Sequence, residues 1–279
     1  MSLPGVNVLL MGPSGTGKTT ALKTLIDYPG IEVFALFTEP RYDILGPYLD
    51  KIHWRYIAPA TPSWGALSSA AKMVNTMSND ALQKLNSISG PEYLQYVDVL
   101  ALCNNFIDQH GKEFGDVLTW PNNRVFVLDG LTGLSKMARK LKAGTKPILT
   151  QPDWGVCMTM IQEFVDTLVM GTFCHFILIG HVEKEVDEIT GGGKTMVSTM
   201  GRKLAPLIPP NFGDVIQAKK DGNSFTWSTA EPQTDLKGGF LPNNGKLAPS
   251  FAPLLDQWKS QGGVLGTEKP ANWQKKTGK

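Results

Sequence analysis

Gly12-Pro13-Ser14-Gly15-Thr16-Gly17-Lys18-Thr19 carries glycine at its first and sixth positions, then lysine and a hydroxyl residue. At that spacing successive backbone N–H groups can turn inward around phosphate oxygens, and the helix that follows adds the positive end of its dipole. Lys18 then reaches the β- and γ-phosphates of a nucleoside triphosphate, the Thr19 hydroxyl ligates Mg²⁺, and Thr20 completes the loop. The chemistry expected is binding of ATP with Mg²⁺. A chance glycine-rich turn would not follow a buried strand and open an amphipathic helix, as this one does.

Magnesium at such a loop also needs a carboxylate on a neighbouring strand, acting through water. Asp129 ends the apolar run Val125-Phe126-Val127-Leu128, where that carboxylate belongs. The next residue is Gly130, so the water-activating glutamate that often follows this aspartate must come from elsewhere. Glu39, in Phe37-Thr38-Glu39-Pro40-Arg41, lies just past the second apolar run, at the carboxyl end of the sheet. It can orient or deprotonate a water, or it can form a salt bridge to Arg41. His181 closes the fourth apolar run after Gly180, where it either senses the γ-phosphate or serves the structure. His53, His110 and His175 form no zinc-ligand set with it. Lys194 ends the glycine-rich stretch Thr190-Gly191-Gly192-Gly193. With Arg202 and Lys203 it either meets a nucleic-acid backbone or is simply solvated.

The elements that must position these residues follow from periodicity. Short apolar runs at 6–11, 33–37, 125–128 and 176–179 read as buried strands. Residues 18–28 form a helix stopped by Pro29-Gly30, and further helices cover 130–141 and 154–170, with a loop through Pro147 and Pro152 between them. Residues 63–118 read as a mostly helical insertion. Ala66, Leu67, Ala70, Ala71 and Val74 share one face there, and Ser89-Gly90-Pro91 breaks the insertion in two. Hairpins follow at 182–199 and at 214–229, the second turning at Asp221-Gly222. The expectation is an α/β fold, a mainly parallel sheet with helices on both faces and antiparallel hairpins at one edge. One ATPase domain spans 1–258, and the polar, lysine-rich segment 259–279 is expected to be disordered.

Composition narrows the setting. A hydrophobic fraction of 42% in 279 residues supplies a sizeable core, and a net charge of +2 announces no global nucleic-acid field. Three widely spaced cysteines, Cys103, Cys157 and Cys174, suit a reducing cytoplasm. The run at 6–11 is too short for a signal or membrane helix, so a soluble cytoplasmic protein is expected.

A P-loop, a separate glutamate after the second strand, an aspartate without an adjacent glutamate and a polar residue ending the fourth strand resemble the RecA-like ATPases. More closely, the chain is similar to phage-encoded RecA-like nucleotide-binding proteins, among them single-strand annealing recombinases. The stretches that carry this are Gln151-Pro152-Asp153-Trp154-Gly155, Ile179-Gly180-His181-Val182, and Met200-Gly201-Arg202-Lys203-Leu204-Ala205 leading to Phe212-Gly213-Asp214-Val215, within residues 5–230. The resemblance implies a RecA-like P-loop NTPase core, with Glu39 as catalytic glutamate and His181 as γ-phosphate sensor. It also implies a DNA-contacting hairpin after His181, and Lys219 and Lys220 as a basic finger reaching a neighbouring subunit's nucleotide. Histidine stands where glutamine is more usual, and the expectation is of no separate domain or oligomerising arm before the P-loop.

The function implied is ATP-dependent DNA recombination in a phage host's cytoplasm, with single-stranded DNA bound and annealed or exchanged. Single-stranded DNA, a single-strand-binding protein and further copies of the chain are the partners. A motor or switch ATPase for DNA packaging or replication is the alternative. A small-molecule kinase is a third reading, kept open by Arg139 and Lys142 but opposed by the Gly-His end of the fourth strand.

Overall fold

A computed structural model describes residues 2–85, 90–144, 146–186, 193–201 and 203–273. Its strands are β1 (Asn7–Met11), β2 (Glu32–Phe37), β3 (His53–Tyr56), β4 (Arg124–Asp129), β5 (His175–Gly180), β6 (Val182–Val186), β7 (Gly193–Val197), β8 (Asp214–Asp221) and β9 (Ser224–Ser228). Its helices are α1 (Lys18–Ala21), α2 (Lys23–Ile26), α3 (Trp64–Thr76), α4 (Asn79–Lys84), α5 (Gln95–Asn104), α6 (Leu131–Ala143), α7 (Gln151–Gly171) and α8 (Ala252–Ser260).

The apolar runs are buried on both faces because a seven-stranded sheet, ordered β3-β2-β4-β5-β1-β8-β9, is covered on both. Alternate residues point to opposite layers. Leu9, Leu36, Phe126, Leu128, Phe176 and Leu178 pack with α5, α6 and α7. Val8, Leu10, Ala35, Val127 and Ile177 pack with α1, α2 and α8. Each such valine, leucine, isoleucine or phenylalanine, fully buried, is worth about 1.5–3 kcal/mol, so neither layer is dispensable. Every pairing from β3 to β8 is parallel, and β9 alone is antiparallel. This is an α/β architecture, a mainly parallel sheet with helices on both faces.

Several expectations are corrected. β8 pairs parallel to β1, and β6 with β7 forms a separate two-stranded sheet, so the edge gains only one antiparallel strand. The tip residues Thr190, Gly191 and Gly192 lie outside the described residues. The helix expected at 18–28 divides at Leu22. α7 begins at Gln151 and not at Trp154, because Thr150 and Asp153 form a reciprocal capping box that accommodates Pro152 in the first turn. β3 was not foreseen. Its His53 stacks on Phe34, and Trp54 and Tyr56 join Tyr42 in an aromatic cluster.

Within 63–118, α3 buries none of its residues, whereas α5 buries Tyr96, Val99 and Leu102 in the core. Within the segment 259–279, expected to be disordered, residues 261–273 lie against the body of the fold. Lys269 Nζ donates to Leu118 O and Gly171 O, both at 2.9 Å, Thr267 N donates to Asn122 Oδ1, and Trp273 meets Phe173 edge to face. Apolar and backbone contacts, invisible to composition, hold this lysine-rich segment down. Residues 274–279 lie outside the described residues. No described helix is long and apolar enough to cross a membrane.

Candidate nucleotide site

Strand register creates the site. Phe37 pairs with Asp129, Asp129 with Ile179, and Met11 with Gly180, so four strands end on one line. The residues just past those ends converge there: the P-loop, Glu39, Gly130 and His181. They line a cleft of about 370 Å³ with Ser14 to Thr20, Pro40, Arg41, Tyr42 and Ile44.

Gly15 and Gly17 have φ of +77° and +79°, a left-handed conformation that costs other residues roughly 1–2 kcal/mol. At Gly12 the constraint is space, since a Cβ there would press on the Ala218 carbonyl. The Thr16 hydroxyl donates to Pro13 O at 2.8 Å and ties the loop across. The Lys18 ammonium is buried and donates to Gly12 O at 2.8 Å and Pro13 O at 2.9 Å. Burial lowers its pKa, while the nearby Asp129 and Glu39 charges oppose that shift.

Thr19 Oγ1 donates to Asp129 Oδ2 at 2.6 Å. Burial pushes the Asp129 carboxyl up to about 6. The Thr19 hydrogen bond and the Lys18 charge pull it down, and the Glu39 charge adds to the rise. A buried carboxylate beside a hydroxyl, short of countercharge, is suited to a hard divalent cation. No three described His, Cys, Asp or Glu side chains gather as a metal cluster, so phosphate oxygens and water would supply the other ligands.

Glu39 Oε2 lies 2.9 Å from His181 Nε2. Arg41, the partner that adjacency suggested, does not hold this carboxylate. Burial alone would raise the Glu39 pKa, but the His181 hydrogen bond and charge, the Gly133 N–H and Lys136 outweigh it and hold the group below its usual value. The glycine after Asp129 now has a physical reason: a Cβ at Gly130 would collide with the Glu39 carboxylate, and one at Gly133 with Thr38. Thr38 locks the junction, its N–H donating to Asp129 O at 2.8 Å and its hydroxyl to Gly130 O at 2.5 Å. Sequence reasoning missed Thr38 and Gly133, and it placed Arg41 only as a salt-bridge partner of Glu39. The G-x-x-G spacing after Asp129 was the available signal for the glycines.

The other expected residues lie apart from the cleft lining. Lys194 pairs with Asp235 at 2.6 Å, Lys203 is exposed, and Arg202 lies outside the described residues. Lys219 pairs with Glu231, and Lys220 Nζ sits 5.3 Å from the centre of the Phe225 ring.

Residues 5–240 match a family described as "AAA domain". The chain belongs to this AAA family. With its P-loop, the AAA chain is a nucleotide-binding ATPase. No curated protein matches it. A solved structure titled as a prototypical ATPase from the type III secretion system of pathogenic bacteria matches at 13% identity, over 78% of this chain and 52% of that one, with a TM-score of 0.34. The AAA chain thus spans about half the length of that protein, and a likeness at this level adds nothing to what the family and the topology establish.

Proposed function

We propose that the chain is an ATPase of DNA recombination that binds single-stranded DNA and promotes its annealing or exchange, in a phage host's cytoplasm. The observation that carries this reading is the 2.9 Å contact between Glu39 and His181. His181 directly precedes β6, and Ser198 N, just after β7, donates to His181 O at 2.8 Å. The nucleotide cleft and the β6–β7 hairpin therefore share one residue, which suits a nucleotide-gated binding element. The resemblance to annealing recombinases supplies DNA as what that element binds, with Lys194, Arg202 and Lys203 as its phosphate contacts.

In this reading the loop N–H groups and Lys18 hold the β- and γ-phosphates, and Thr19 and Asp129 hold Mg²⁺. The cation, when bound, neutralises phosphate charge. Glu39, ionised at neutral pH, orients a water whose oxygen bonds to the γ-phosphorus as the bond to the β,γ-bridging oxygen breaks. ADP leaves, and the water's proton passes to the Glu39 carboxylate. His181 can exchange Glu39 for a γ-phosphate oxygen, and the start of β6 follows it. Further copies of the chain would assemble with it on the DNA, and a single-strand-binding protein would present that DNA; Lys219, paired with Glu231, is not free to serve as a finger.

The test is fluorescence anisotropy of labelled single-stranded DNA with ATP or ADP. The wild type should bind more tightly with ATP, with affinity falling as salt rises, and His181→Ala should lose the difference between nucleotides. Absence of binding at low salt in both nucleotide states would favour the motor or kinase reading.

A further inference from the structure

Charge building on the transferring γ-phosphoryl group calls for a cation besides the P-loop lysine, worth roughly 10³–10⁵ in rate where P-loop enzymes have one. We propose that Arg41 is that cation and reaches the γ-phosphate oxygens from within the same chain. The inference rests on reading the cleft as the hydrolysis site and adds a residue to it.

Lys18 and Arg41 are the two lysine or arginine side chains that line the cleft, and Lys18 already donates to the loop carbonyls. Arg41 is two residues past Glu39, so it enters from the segment that carries the water-orienting carboxylate. Its backbone is left-handed, with φ of +86° and ψ of +17°. For a residue with a Cβ this costs on the order of 1 kcal/mol or more, and such strain gathers at functional sites. Pro40 restricts the chain on one side, and on the other Tyr42 is fixed against Phe37 and Trp54, with ring centroids 5.3 and 4.9 Å away. No described carboxylate pairs with the Arg41 guanidinium, while Glu39 is held by His181 and Lys219 by Glu231. An exposed, unpaired, rigidly based guanidinium presents a planar fork of donors that matches phosphate oxygens.

The experiment compares Arg41→Gly, Arg41→Ala and wild type for binding of ADP, binding of ADP with aluminium fluoride, and single-turnover ATP hydrolysis. Glycine keeps the left-handed backbone at no steric cost, so Arg41→Gly removes the guanidinium alone. It should bind ADP within about threefold of wild type, lose at least about tenfold in affinity for ADP–aluminium fluoride, and hydrolyse ATP about 10²–10³-fold more slowly. Mixing it with Lys18→Ala should restore nothing, because each chain lacks a part of its own site. Wild-type hydrolysis by Arg41→Gly would overturn the proposal, including the case where Arg41→Ala alone is slow, which would reveal a backbone effect. Restored activity in the mixture would overturn the same-chain assignment. Glu39→Gln, run in parallel, tests the underlying reading separately. Normal hydrolysis by that variant would move the water-orienting role elsewhere, while the aluminium fluoride result would still decide Arg41.

Discussion

Burying the Asp129 carboxylate beside Thr19 raises its pKa to about 6 and sets function against stability at one atom. The folded chain holds that proton more tightly than the unfolded chain, whose aspartate titrates near ~3.9. The contribution is therefore full below about 4 and is lost as pH rises through about 6. Asp129→Asn should stabilise the protein at pH 7.5 without nucleotide or Mg²⁺, by on the order of 1–3 kcal/mol, and should weaken Mg²⁺-dependent ATP binding. Thermal unfolding and Mg²⁺ titration check both halves, and a variant that is destabilised without nucleotide would contradict the account. Sequence position alone picked out Asp129, Glu39 and His181, because each follows an apolar run at the same end of the sheet. The Glu39–His181 contact was not legible, since it joins residues 142 apart through strand order. Arg41 was legible only as a neighbour of Glu39, because its place in the cleft depends on a left-handed backbone that no residue type announces.

β1, β2, β4 and β5 declared themselves as near-continuous apolar runs, as strands buried on both faces must. β3 did not, because His53-Trp54-Arg55-Tyr56 is an edge strand held by distant partners: His53 Nδ1 lies 2.8 Å from Asp108 Oδ2, and Gln109 Oε1 accepts from Trp54 N. The start of α7 was hidden by Pro152, which reads as a breaker until the capping box is seen. That cap yields a second prediction. Asp153 Oδ2 accepts from Lys146 Nζ at 2.8 Å and Thr150 N at 3.0 Å, and these bonds hold its carboxyl well below the usual carboxylate range. A depressed pKa contributes stability that is present above about 4 and lost as pH falls toward the folded value. Asp153→Ala should cost about 1–2 kcal/mol in urea denaturation at pH 7, and less at pH 3. An equal cost at both pH values would place the stabilisation elsewhere.

Two cores, one on each sheet face, are closed at the chain's end by α8 and by residues 261–273. Trp273→Ala combined with Lys269→Ala should lower the melting temperature by a few degrees without touching the cleft, on a cost of about 1–3 kcal/mol for the lost aromatic contact and two carbonyl bonds. Unchanged melting would mean that this segment rests on the surface without stabilising it. At the same scale, the fold links the nucleotide cleft to the β6–β7 hairpin through one route, from Glu39 to His181, and the proposed function puts single-stranded DNA at the hairpin. The measurement that tests this most directly is phosphate release from ATP by the wild-type chain with single-stranded DNA, with duplex DNA and with neither, at low salt. Single-stranded DNA should raise the rate and duplex DNA should leave it near the basal value. A rate indifferent to single-stranded DNA, or raised only by duplex, would contradict the account.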